Sequence, residues 1–312
     1  MKTLIYENSL KEEWDSFVSN AVNSHFFFKR DYLEYHSDRF SDFSLLIYNE
    51  KDKLVAIFPA NLSGFTLFSH QGLTFGGFLI DENMGILDYL SLFDSLRTFL
   101  KKNQIKKMVY KCIPFIYYSI NSQIEEYTLF KNGASLIARD LSATIDLTSS
   151  FSFKNRRRRG IKKSKKLGLI VSESQDYSNY WGLLSETLNE VYGVNPVHTL
   201  EEIKYLHSKF KNNIRLFICE DGEELLGGVV VYENINCVHI QYIAASTKGK
   251  RDGALDLIFN ELIMNIFSEK QYFDFGISTE KSGMYLNEGL ISQKEGFGAR
   301  PVICSTYELN LD

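Results

Sequence analysis

Residues 271–280 read Gln-Tyr-Phe-Asp-Phe-Gly-Ile-Ser-Thr-Glu. The apolar run over 271–275 predicts a short buried strand, and it gives way to the small polar groups Ser278, Thr279 and Glu280, at the end of a strand where open α/β sheets place ligands. Upstream, apolar residues at three- and four-residue spacing predict a helix over 253–268, preceded by a strand over 237–245. Before that, strand-like runs at 215–219 and 225–232 flank Glu220-Asp221-Gly222-Glu223-Glu224 and read as a hairpin. Downstream, a helix runs into the corner Gln293-Lys294-Glu295-Gly296-Phe297-Gly298-Ala299-Arg300, and a strand over 301–311 closes the chain.

The same order occurs once before. A hairpin of 44–48 and 54–59 around Asn49-Glu50-Lys51-Asp52-Lys53 leads to a further strand, a helix over 87–102 and a strand over 107–112. A helix, the corner Phe130-Lys131-Asn132-Gly133-Ala134 and a strand over 135–147 follow. Element order repeats although letters do not, so the expected fold is α/β with mixed (α+β) sheets in two homologous units. They are expected at 1–150 and 151–312, with the seam near Thr148-Ser149-Ser150-Phe151-Ser152.

A chain of 312 residues with 44% hydrophobic content, 24 Phe, 18 Tyr and only 4 Pro has the material for two packed cores. Residues 1–15 are acidic without an apolar run, and no later stretch approaches membrane-spanning length, which predicts a cytoplasmic protein. Cys112, Cys219, Cys237 and Cys304 sit apart in apolar segments, so buried free thiols are expected and neither disulfides nor a metal. The net charge of −4 conceals one block: eight of the eleven residues from Arg156 to Lys166 are basic. Taking those eight from the 35 basic residues, against 39 acidic ones, leaves the remainder near −12. The block is a concentrated positive site on an acidic body.

The order of elements resembles that of GNAT N-acetyltransferase units, and the tandem resembles Fem-type (FemAB-like) transferases and related proteins of bacterial surface-polysaccharide pathways. Beyond the closing strand, loop and helix, Ser69-His70-Gln71-Gly72-Leu73-Thr74-Phe75-Gly76-Gly77, Pro196-Val197-His198-Thr199, His239-Ile240-Gln241-Tyr242 and Leu286-Asn287-Glu288-Gly289-Leu290 carry the likeness. It implies an acyltransferase whose second unit grips the donor at a splay between central strands and binds donor phosphates where the next helix begins. Fem-type enzymes typically draw aminoacyl groups from tRNA. Several carry a coiled-coil arm, for which no heptad segment exists here.

Acyl transfer to an amine requires hydrogen-bond donors at the carbonyl and a route for the amine proton. Gly249, Lys250, Arg251 and Gly253 are the expected phosphate ligands, although Leu255 departs from the usual glycine pattern. His239 and Gln241 share one strand face by period-two spacing. Glu280 is a proton acceptor or amine anchor, or it belongs to the first turn of a helix capped by Ser278 or Thr279. By the resemblance, Lys294 is the position that corresponds to the lysine neutralising the transferred carbonyl, or it forms a structural ion pair with the adjacent Glu295. Ser278, Thr279, Asn287 and His198 are candidate acceptor contacts, with Thr199 the expected helix cap. In the first unit His70, Gln71 and the glycines after them admit a sugar or nucleotide, or a bulged turn; Arg30 admits a phosphate, or a salt bridge.

The leading expectation is transfer from acyl-coenzyme A, in the simplest case acetyl-coenzyme A, to the amine of a nucleotide- or lipid-linked amino sugar in surface-glycan assembly. One alternative is aminoacyl transfer from tRNA to a cell-wall precursor. Another is a non-catalytic nucleic-acid-binding protein using the basic helix, at odds with the acidic remainder.

Overall fold

Strand burial follows from composition. The run Leu-Leu-Gly-Gly-Val-Val-Val-Tyr within Glu224–Glu233 is buried almost throughout, as a central strand covered on both faces requires. Cys237–Ala245 instead alternates, burying Val238, Ile240, Tyr242 and Ala244 while His239, Gln241 and Ile243 stay half-buried. The structure is a computed structural model describing residues 1–311, apart from the side chains at 191 and 192.

Two compact units are present. The first contains Met1–Leu141, Thr279–Tyr285 and the chain from Ile303 onward; the second contains Ser142–Ser278 and Leu286–Val302. In the second unit the sheet runs Ile170–Ser174, Ile214–Asp221, Glu224–Glu233, Cys237–Ala245, Tyr272–Ile277 and then residues 142–146. Neighbours are antiparallel except Cys237–Ala245 with Tyr272–Ile277, which are parallel. Parallel neighbours need a crossover, supplied by helices Thr247–Asp252 and Ala254–Glu261 and a π turn to Ile266. The expected helix over 253–268 is present as Ala254–Glu261 with its π turn, and the short helix Thr247–Asp252 precedes it. Gly253 sits at φ +82, closing one helix and opening the next.

The first unit holds an antiparallel sheet of Lys2–Ile5, Leu45–Tyr48, Leu54–Phe58 and Leu79–Ile80. A second set joins Ser41–Asp42, Asn61–Ser63, Thr66–Phe68 and Lys107–Lys111, with Thr306–Asn310 on Lys107–Lys111. Helix Ile86–Lys102 buries Tyr89, Leu92, Phe93, Leu96 and Leu100, the stripe its spacing predicts. The order hairpin, strand, helix, strand, helix, strand thus recurs, with residues 61–78 inserted after the first hairpin. The cysteines are free; Cys112, Cys219 and Cys237 are buried. Cys304 departs from the expectation and is half-buried, because the closing strand Arg300–Asn310 is fully covered only at Val302, Ser305 and Leu309.

One buried acid stands out in the first unit. Glu125 accepts from Tyr110 Oη at 2.5 Å and from the Ile113 amide at 3.2 Å. Burial pushes its carboxyl up to about 8, against the opposing pull of those donors and of Tyr118. Between the ordinary 4.5 and about 8 the folded chain holds a proton that the unfolded chain has released, so this group's stabilisation is present below 4.5 and is lost as pH rises through 8. Thermal unfolding of the wild type is therefore expected to occur at falling temperature from pH 5 to pH 8. Glu125→Gln keeps the acceptor without the charge, and at pH 8 it should melt higher by roughly 5 °C; parallel curves for the two proteins would refute the assignment.

Candidate active site

The two parallel strands of the second unit pair through only three residues, Cys237, Val238 and His239 against Tyr272, Phe273 and Asp274. Beyond that rung both backbones change course. Opposite Val230 and Val231 the register passes from Tyr242 to Ile240, so Gln241 is the extra residue of a β-bulge. On the other strand Gly276 adopts φ +77, and pairing with residues 142–146 is interrupted between Asp274 and Ile277. The result is the expected splay of the central strands, with His239 and Asp274 at its vertex.

Asp274 is 3% exposed and fully engaged. Its Oδ2 lies 2.7 Å from His239 Nδ1, while Oδ1 accepts from Ser142 Oγ at 2.5 Å and Thr144 Oγ1 at 2.7 Å. Burial alone raises the carboxyl; hydrogen bonding and charge from His239, with both hydroxyls, outweigh it and hold the group below its ordinary value. With Nδ1 turned to the Asp274 carboxylate, Nε2 is the ring nitrogen of His239 left to exchange a proton with a ligand. Gly276 lies against this imidazole: a Cβ there would stand 3.1 Å from His239 Cε1.

Lys294, in helix Glu288–Glu295, is 4% exposed and donates to the Gly276 carbonyl at 2.8 Å and the Ile277 carbonyl at 2.7 Å. Burial lowers its ammonium to about 8, partly countered by the Asp274 charge. Two of its three N–H groups are used, and one is left. Ser278 Oγ is buried without a hydrogen-bond partner.

The basic helix, Asn155–Lys166, packs against Ala254–Glu261. Contact is close because both facing residues are glycine: a Cβ on Gly160 would stand 1.9 Å from Asp256 Oδ2, and one on Gly253 would stand 2.7 Å from the Gly160 carbonyl. Arg157 pairs with Asp256 at 2.7 Å and Lys163 with Asp252 at 3.0 Å. Beside this contact lies a cavity of about 280 Å³ lined by Arg156, Gly249, Lys250 and Gly253 among others. Arg156 and Lys250 have no ion-pair partner among the described residues, whereas Arg251 is drawn aside to Asp252 at 3.0 Å.

The other expected residues are distributed over both units. Gln241 is half-buried on the face of His239. His198 is buried, its Nδ1 2.5 Å from Tyr242 Oη, and Thr199 caps the next helix in a capping box with Glu202. Asn287 caps helix Glu288–Glu295, so Ser278 and Thr279 do not cap a helix there. Thr279 donates to Asp140 at 2.8 Å, and Glu280 is exposed on the short strand Thr279–Glu280. Both belong to the segment that compacts with the first unit. His70 is buried at φ +62 with its ring stacked on His36, and burial, with the His36 charge, lowers its pKa to about 3. Gln71 bonds Asn61 through side chain and backbone at 2.8 and 2.7 Å. The nearby glycines serve packing, since a Cβ on Gly76 would stand 2.0 Å from the Ser69 carbonyl. Arg30 is 2% exposed, ion-paired with Glu34 and Asp42, and stacked 3.6 Å over Tyr6. A phosphate at Arg30 would have to displace both carboxylates.

Sequence reasoning did not assign Asp274, Ser142 or Thr144 to the site. The available signal was polar residues alternating with Ala143 and Ile145 on a strand otherwise fit for a core.

No family model matches the sequence, and no curated protein does. Solved structures match in fold. FemX superposes with a TM-score of 0.71 at 10% identity, over 99% of this chain and 97% of that one. The C-terminal domain of a putative lysylphosphatidylglycerol synthetase from Agrobacterium fabrum gives 0.61 at 12%, over 97% and 93%. A tandem GNAT protein from the clavulanic acid biosynthesis pathway gives 0.52 at 11%, over 100% and 98%. The fold is therefore α/β with tandem GNAT-like units, a fold shared with these structures.

If the glycine contact sets the position of the basic helix, Gly160→Ala should destabilise the protein by about 1–3 kcal/mol through overpacking against Asp256. Chemical denaturation measures this, and unchanged stability would show that the two helices separate freely.

Proposed function

We propose that the second unit transfers an acyl group from a phosphorylated carrier to a primary amine. The carrying observation is the strand fork closed by the His239–Asp274 pair, with Lys294 fixed on the carbonyl of the glycine that touches His239. In this reading Lys250 and Arg156 hold the donor's phosphates, with Gly249 and Gly253 allowing close approach. The donor's acyl arm enters the fork, where Gln241 leaves the regular ladder. The remaining N–H of Lys294 meets the carbonyl oxygen as negative charge develops there. His239 Nε2 accepts the proton shed by the amine as the C–N bond forms, Asp274 stabilises the resulting imidazolium, and the proton passes to the departing thiolate as the C–S bond breaks. His198 and Asn287, both of the second unit, frame the acceptor.

The donor in this proposal is acyl-coenzyme A, acetyl-coenzyme A being the first to test, and the acceptor is a nucleotide- or lipid-linked amino sugar of surface-glycan assembly. Among the described residues no helix is long and apolar enough to cross a membrane, which fits a catalyst that meets such acceptors from the aqueous side. A second reading has its own observation. Arg158, Arg159, Lys162 and Lys166 are exposed on the basic helix and have no ion-pair partner among the described residues, more cation than a coenzyme's phosphates require. An aminoacyl-tRNA donor uses them, and the fold shared with FemX and with the lysylphosphatidylglycerol synthetase domain favours it. Non-catalytic nucleic-acid binding uses the same cations but leaves the His239–Asp274 pair without a task.

Thiol release from acetyl-coenzyme A with amino-sugar nucleotides tests the first reading. Aminoacylated tRNA, with and without ribonuclease, tests the second. With the active donor, His239→Ala should lower kcat by about 10²–10⁴, and Lys294→Met by about 10²–10³. Wild-type turnover in His239→Ala would remove the mechanism. Because Lys294 acts in its charged form and titrates at about 8, kcat/KM should fall as pH rises through 8. Lys294→Arg, which stays charged, should remove that limb from whatever activity it retains.

A further inference from the structure

The cavity at Lys250 and Arg156 is one end of a longer groove. A second cavity of about 310 Å³ shares Arg156, Arg157 and Gln293 with it. That cavity meets a third, of about 550 Å³, at Lys154. Every lining residue belongs to the second unit. The three spaces follow one another around the first turn of the basic helix, from the short helix that carries Gly249 to the serine-rich segment that precedes the basic helix.

The third cavity differs in chemistry from the first. It is lined by Ser149, Ser150, Ser152, the half-buried Phe151, Asp146 and Arg300 among others. Asp146 Oδ1 accepts from the Thr148 amide at 2.9 Å and Thr148 Oγ1 at 2.6 Å, and Oδ2 accepts from Ser149 Oγ at 2.8 Å, which leaves Oδ2 room for a further donor. Arg300 is exposed, and among the described residues its guanidinium donates to the carbonyl of its own neighbour, Ala299, at 2.9 Å and has no ion-pair partner. The loose 3.9 Å pairing of Lys154 with Glu295 leaves that ammonium able to turn toward either cavity. Gly298, at φ +95, makes room for the aromatic wall, since a Cβ there would press on Phe151 Cβ at 3.2 Å.

An aromatic face, hydroxyls, a carboxylate and an unpaired guanidinium together match a phosphorylated nucleoside. The base stacks on the ring, ribose hydroxyls donate to the carboxylate, and a phosphate takes the guanidinium. We propose that this third cavity binds the phosphorylated adenosine end of the acyl donor, at the opposite end of the groove from Lys250. The assignment rests on the transferase reading above. Coenzyme A and the 3′-terminal adenosine of an RNA both present this group, so the chemistry is shared and the source is a matter of experiment.

Calorimetric titration of the full chain separates the cases. The probes are adenosine 3′,5′-bisphosphate, coenzyme A, 4′-phosphopantetheine and a short RNA ending in CCA. The bisphosphate should bind the wild type, and Arg300→Glu should weaken it about tenfold, by loss of one charge-assisted contact and gain of repulsion. Ser150→Trp, which fills the cavity, should weaken it comparably, with circular dichroism verifying the fold. Neither substitution should change phosphopantetheine binding. Parallel loss of coenzyme A affinity identifies the coenzyme as the source, and parallel loss for the RNA identifies tRNA; either supports the subsite. If the bisphosphate binds wild type, Arg300→Glu and Ser150→Trp alike, while Lys250→Glu abolishes donor binding, the subsite is wrong and the transferase reading stands. If no probe binds the wild type, both fall.

Discussion

Everything at the candidate site depends on two parallel strands that pair for three residues and then part. Buried backbone groups released from a ladder must find other partners. Here the carbonyls of Gly276 and Ile277 find the ammonium of Lys294, and the last intact rung carries His239 opposite Asp274. The opening of the sheet and the assembly of its polar groups are one event. Without the bulge at Gln241 and the left-handed turn at Gly276, the strands would continue side by side, and a buried ammonium would have no carbonyls to hold.

The basic helix is the second constraint. Eight cations on a twelve-residue helix repel one another, and an acidic body offers compensation only at defined points. Asp252 and Asp256 supply it, but only because Gly160 and Gly253 let the helices approach to backbone contact. Helix docking thereby neutralises the inward charges. Arg156 is left to the cavity and the remaining cations face solvent, where salt screens them.

The first unit follows the same order of elements but turns its polar residues to its own support. Arg30, Glu125 and His70 are buried, and Lys111 donates to the carbonyls of His70, Gln71 and Leu73 at 3.3, 3.3 and 2.6 Å. Lys111, half-buried, and Lys294, buried, are thus two lysines held on backbone carbonyls, each brought down to about 8 by desolvation. In the first unit the lysine fastens a loop; in the second it stands beside a histidine and an open strand fork.

The repeated order of hairpin, strand, helix, strand, helix and strand was legible in hydrophobic periodicity, because period two and period 3.6 are local properties of the chain. So were the basic block, the shared face of His239 and Gln241, and the polar ending of the strand after Phe275. Register was not legible. Nothing local tells that Ser142 and Thr144, some 130 residues before Asp274, lie beside it, or that Gly253 is glycine because another helix crosses there. The sequence by itself determined which segments are strands and helices and which faces they bury, whereas strand pairing decided which polar side chains meet. Pairing is a nonlocal choice, made by the packing of the whole unit, and a one-residue change of register would turn each of these groups to the opposite face.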